Sequence, residues 1–98
     1  MNIYEKVIDV MGEDNQIIQL FEEMFELGFA VCKWRRHKHL AERYPAYVED
    51  VTTEIADVLI MIEQIKLIIG IENSDIADET EKKLRRLKET LTTYGRYE

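Results

Sequence analysis

The fold of this chain turns on the run Glu54-Ile55-Ala56-Asp57-Val58-Leu59-Ile60-Met61-Ile62. No alternation of period two organises it. On a helix its apolar residues point in every direction around the axis. A helix that is apolar all round is expected to be buried on every side. Asp57 lies inside the run. Burying an unpaired carboxylate costs roughly several kcal/mol, so Asp57 calls for a hydrogen bond, a counter-charge or a metal.

Followed outward, the apolar pattern gives a helix from about residue 48 to 69, with Gly70 placed as the C′ glycine that ends it. Upstream, Ile17, Leu20, Phe21, Met24, Phe25, Leu27, Val31 and Trp34 give a second long helix over about 16–36, with Asp14 or Asn15 as the expected N-cap. Between the two lies a connection expected over 37–47: it begins with basic, aperiodic residues and contains Pro45, before which Tyr44 is biased away from helix. Ile3, Val7 and Met11 mark a short first helix over 3–11 that Gly12 ends, and a fourth helix is expected over about 75–92, with Asp75 and Asp78 as an acidic first turn. The tail after it is expected to fray. No strand pattern is present. The chain reads as all-α, a four-helix bundle-like subunit in one domain. Because four helices of these lengths do not readily enclose an all-apolar one, a homo-oligomer, dimer or tetramer, is the simplest cover; a long loop folded over the helix is the alternative.

The chain has 98 residues, 20 of them Asp or Glu against 13 Lys or Arg, for a net charge of −7. That balance argues against a protein that binds nucleic acid directly through its phosphates, though not against a phosphate substrate carried with a cation. The single cysteine, Cys32, fits a reducing compartment. With no signal-peptide pattern and no apolar run of membrane-spanning length, a cytoplasmic protein without membrane contact is expected.

Glu54 and Asp57 are three residues apart, so they share a helix face to within about 60°. The second helix repeats the arrangement with Glu23 and Glu26, in Phe21-Glu22-Glu23-Met24-Phe25-Glu26-Leu27. Glu26 lies about ten residues, roughly 15 Å, from the end of its helix, and Glu54 roughly 9 Å from the start of the next. An antiparallel hairpin therefore sets the two pairs face to face. Four converging carboxylates are tolerable with shared protons or a cation, and an all-oxygen donor set favours Mg²⁺, with Mn²⁺ as a substitute. A di-iron centre would need Glu-x-x-His on two helices, which is lacking. His37 and His39 lie in the connection without a third nitrogen or sulfur ligand, and read as polar loop residues.

Glu22-Glu23-x-x-Glu26, then 27 residues, then Glu54-x-x-Asp57, resembles the EExxE…ExxD signature of the MazG-like, all-α nucleoside triphosphate pyrophosphatases. The surroundings Gly12-Glu13-Asp14-Asn15-Gln16 and Ile55-Ala56-Asp57-Val58-Leu59-Ile60-Met61 are similar to short single-domain members, and the resemblance covers about residues 10–90. It implies Mg²⁺-dependent hydrolysis of (d)NTP to (d)NMP and pyrophosphate, for nucleotide-pool control or cleansing. It also implies metal ligation by Glu23, Glu26, Glu54 and Asp57, with Glu22 left to orient or deprotonate water or to bind a further metal. Phosphate contact by Lys83 and Arg86, in the basic run Glu81-Lys82-Lys83-Leu84-Arg85-Arg86-Leu87-Lys88, follows from the same resemblance. Lys33 and Trp34 are further candidates for base or phosphate contact, Trp34 by stacking. The alternatives are a non-catalytic helical interaction protein and a nucleotide-binding sensor that retains the fold.

Overall fold

A computed structural model of the chain describes residues 1–40 and 44–95. Helix α1 spans Ile3–Met11 and is capped by Asn2, whose Oδ1 accepts the Glu5 N–H at 2.9 Å. Gly12 ends it at φ +94°, a backbone region that a residue with a Cβ enters only under strain. Helix α2, Glu13–His37, follows at once. Asp14 and Asn15, the expected caps, therefore lie inside α2, and the Asn15 amide closes α1 instead, donating to the Met11 carbonyl at 2.7 Å. Helix α3 runs Tyr44–Ile69, longer than expected at its start. Pro45 sits in its first turn, where the missing N–H would have had no intrahelical partner in any case. The connection expected over 37–47 is thus shorter at both ends; its residues 41–43 lie outside the described residues, as do residues 96–98 of the tail. Gly70, at φ +86°, closes α3 as expected of a C′ glycine, its N–H and that of Ile71 both donating to the Lys66 carbonyl at 2.9 Å. Helix α4 spans Asn73–Thr93, with the Asp75 carboxylate accepting the Glu72 N–H at 3.0 Å.

Helices α2 and α3 form an antiparallel hairpin. Gln16, near the start of α2, bonds Gln64, near the end of α3, while Trp34 and His37 meet Tyr44 and Tyr47 at the other end. Helix α1 packs across both helices. Among the described residues there is no strand, and no helix is long and apolar enough to cross a membrane.

The interior of one chain is small. Among the described residues, Ala30 and Met61 are the buried apolar side chains, and Gln16 and Gln64 the buried polar ones. Helix α3 faces α2 with one side only, leaving Ile55, Leu59, Ile60 and Ile62 at 40–55% exposed; one chain does not bury it all round. Helix α4 does not pack against α1, α2 or α3. The radius of gyration, 17.6 Å, reflects this; a compact chain of this length has about 12.5 Å.

Candidate metal centre

The hairpin brings the two acidic pairs together. Carboxylate oxygens of Glu23 on α2 and of Glu54 and Asp57 on α3 lie within 4.8 Å of one another, all three side chains half-buried. Ala30 and Met61, one turn beyond Glu26 and Asp57, are buried, and at helical spacing the acids share their side of each helix. Gln19, one turn before Glu23, donates from Nε2 to Glu23 Oε1 at 2.7 Å. Glu23 Oε2 and Glu54 Oε2 are buried with no hydrogen-bond donor among the described residues. Buried acceptors left unmade in this way cost free energy. Here two such acceptors come from carboxylates of facing helices, among the described residues.

Glu26 adds to this group. The charge of Glu23 holds the Glu26 carboxyl above its ordinary value of 4.5, with loss of hydrating water and the charge of Glu54 acting in the same direction. A carboxyl whose pKa is raised by folding binds more protons in the native than in the unfolded chain, so its contribution to stability falls as pH rises from 4.5 through the raised value. Glu26→Gln should therefore raise the melting temperature of the metal-free protein at pH 7 and leave it nearly unchanged at pH 4. Thermal unfolding followed by circular dichroism in chelator checks this, and a lower melting temperature at pH 7 would contradict the repulsion.

The donor set is chemically suited to a hard divalent cation. Carboxylate oxygens from two rigid helices match Mg²⁺ or Mn²⁺, while neither histidine approaches the group to make a zinc site. His37 Nδ1 donates to the Lys33 carbonyl at 2.8 Å, and the ring stacks on Tyr47, 4.7 Å between ring centres.

A cleft of about 510 Å³ opens beside the carboxylates, lined by Phe25, Glu26, Phe29, Lys33, Asp50 and Glu54 among others. Lys33 reaches over the Phe29 ring, Nζ 4.8 Å from its centre, so the structure brings this candidate to the acids. It does not bring Trp34, which lies on a separate cleft with Val48 and Val51 and meets Tyr44 at 5.9 Å between ring centres. Glu22 is exposed and lines neither cleft. Lys83 and Arg86 are on α4, which does not touch α2 or α3, so within one chain they do not meet the carboxylates. Three residues of the site went unread in the sequence although their spacing marks them: Asp50 and Thr53 precede Glu54 and Asp57 by one turn, and Gln19 precedes Glu23 by one turn.

Comparison with protein-family models, with curated proteins and with solved structures returns no match to this chain.

Proposed function

We propose that this chain is a Mg²⁺-dependent nucleoside triphosphate pyrophosphohydrolase, in which water attacks a (d)NTP to give (d)NMP and pyrophosphate. The observation that carries the reading is the convergence of Glu23, Glu54 and Asp57, with Glu26 beside them and two buried carboxylate oxygens lacking a donor. The resemblance of Glu22-Glu23-x-x-Glu26…Glu54-x-x-Asp57 to the MazG-like signature supports it. Glu23, Glu26, Glu54 and Asp57 would hold Mg²⁺, or Mn²⁺ in its place. When bound, the ion supplies charge neutralisation on the triphosphate and acidifies a water.

The chain's own residues supply the rest. Glu23 and Glu54 provide acceptors from opposite helices, so the geometry is set by the hairpin and not by a loop. Glu22, on the exposed shoulder beside Glu23, is the carboxylate assigned to orient the attacking water. Lys33, on the same cleft as Glu26 and Glu54, would steady a phosphate or a base edge. Lys83 and Arg86 would contact phosphates only when α4 of another copy brings them there.

The test is a reaction of the protein with each (d)NTP and Mg²⁺, with the products separated. Monophosphate and pyrophosphate in equal amounts are expected, with no turnover in chelator. Diphosphate and orthophosphate as products, or no turnover with any nucleotide, would overturn the assignment. The exposed apolar faces of α2, α3 and α4 favour the second reading, a helical interaction protein, which predicts neither hydrolysis nor a thermal shift with Mg²⁺.

A further inference from the structure

We propose that α4 is an exchanged arm, docking through Leu84, Leu87 and Leu91 on the outward stripe Ile18, Phe21 and Phe25 of α2 in a second copy of this chain. The inference rests on apolar surfaces and not on the carboxylate chemistry, although Phe25, at one end of the seat, also borders the carboxylate cleft.

Helix α4 has the sequence of a packed helix and the surroundings of a solvated one. Ala77, Thr80, Leu84, Leu87, Leu91 and Tyr94 follow each other at spacings of three and four, the seam of a helix that packs along another. Yet α4 touches none of α1, α2 and α3, and Leu84 and Leu87 are each 56% exposed. Most helical stability in proteins comes from packing one face, and α4 packs no face against α1, α2 or α3. The same spacing runs along α2 through Ile18, Phe21 and Phe25, at 56%, 55% and 79% exposed, with Phe25 at the rim of the carboxylate cleft.

The uncovered area has the size of a permanent interface. The chain exposes 7960 Å², whereas a compact monomer of its mass exposes about 5,900 Å². The excess, about 2,000 Å² per chain, would bury about 4,000 Å² in a pair, within the range of obligate dimers.

Charge says which surface the arm meets and why the partner is this same chain. From Lys82 to Lys88, α4 carries five basic residues and no acid. From Glu13 to Glu26, α2 carries five acids and no base, of which Glu13, Asp14, Glu22 and Glu26 are exposed. Lys82 and Arg85 already pair with Glu79 and Glu81 on α4, at 3.4 and 3.0 Å, while Lys83 borders the leucine stripe with no such partner among the described residues. Both halves of the complementary pair are on one chain, so a two-fold pair gives one arm and receives one, and the two contacts close without exposing a third.

The experiment uses three full-length proteins: the natural chain, an arm variant with Leu84→Glu and Leu87→Glu, and a seat variant with Ile18→Glu and Phe21→Glu. Light-scattering mass, with helicity from circular dichroism, is read for each alone and for the equimolar mixture of the two variants. The natural chain is expected as a dimer or larger. Each variant alone should associate roughly a hundredfold more weakly or worse. The mixture should recover a species of twice the monomer mass, because the seat variant keeps a sound arm and the arm variant a sound seat. Helicity lost by either variant alone should return on mixing, so poor folding of one variant does not blunt the test. A monomeric natural chain, a seat variant as dimeric as the natural chain, or a mixture that stays monomeric each overturns the proposal. The seat variant staying dimeric while the arm variant does not would place α4 against another surface, such as a second α4.

Discussion

Glu54→Gln is expected to lower (d)NTP hydrolysis at least about a hundredfold while the helical content stays unchanged. The substitution keeps the shape of the side chain and removes one charge from the group that Glu54 forms with Glu23 and Asp57. Losing a residue that merely supports a metal ligand costs about 10–100-fold, so losing a ligand should cost more. The fold should survive, because Glu54 Oε2 is buried without a donor among the described residues and lies beside two other carboxylates. Asp57→Asn should behave alike. Glu49→Gln, exposed on the same helix and outside the cleft, should keep the full rate. Steady-state hydrolysis and the Mg²⁺-induced rise in melting temperature are the two readouts, and both should vanish together in the Glu54 and Asp57 variants. Full activity in either variant would remove the metal assignment.

Gln64→Ala is expected to destabilise the fold by at least about 3 kcal/mol. Gln64 and Gln16 are 2% and 7% exposed, and the Gln16 Nε2 donates to Gln64 Oε1 at 2.7 Å across the α2–α3 seam. Removing one partner leaves the Gln16 amide buried and unmade, at about 1–3 kcal/mol. The void adds a cavity cost of similar size, about 2 kcal/mol or more. With Ala30 and Met61 as the buried apolar residues of the described chain, little else resists the change. For a domain of this size each kcal/mol is worth about 4–8 °C, so the melting temperature should drop by about 12 °C or more at equal protein concentration. Gln16→Leu combined with Gln64→Leu should cost less than Gln64→Ala, because no polar group is then left without a partner. A single variant melting within about 2 °C of the natural chain would show that the pair carries no such weight.

Much of the carboxylate group is legible in the sequence because its geometry is local on each side. Glu23 and Glu26, like Glu54 and Asp57, share a helix face by spacing alone, and the antiparallel hairpin then needs only a short connection to bring the faces together. Asp50, Thr53 and Gln19 were open to the same one-turn argument. Phe25 and Phe29 were not: an aromatic residue at an apolar helical position reads as core, and only the fold turns these two to the cleft. Lys33 and Trp34 are adjacent in sequence, about 100° apart around α2. That rotation sends Lys33 to the carboxylate cleft and Trp34 to the other one, a division that depends on which side of α2 receives α3.

By itself the sequence determined that this chain makes four helices, ends two of them at Gly12 and Gly70, and carries two acidic pairs on helical faces. Those features rest on interactions within one or two turns, where residue type and spacing decide the outcome. The tertiary structure decided which apolar stripe is covered. Helices α2 and α3 each carry more than one, and the seam holding Gln16, Ala30, Met61 and Gln64 is chosen by packing between residues far apart in the chain. It also decided that α4 stands away from its own hairpin, so that Lys83 and Arg86, although correctly placed on a helix, are held apart from the acids they were expected to serve. Helical periodicity can mark a face for burial; only long-range contact selects what buries it.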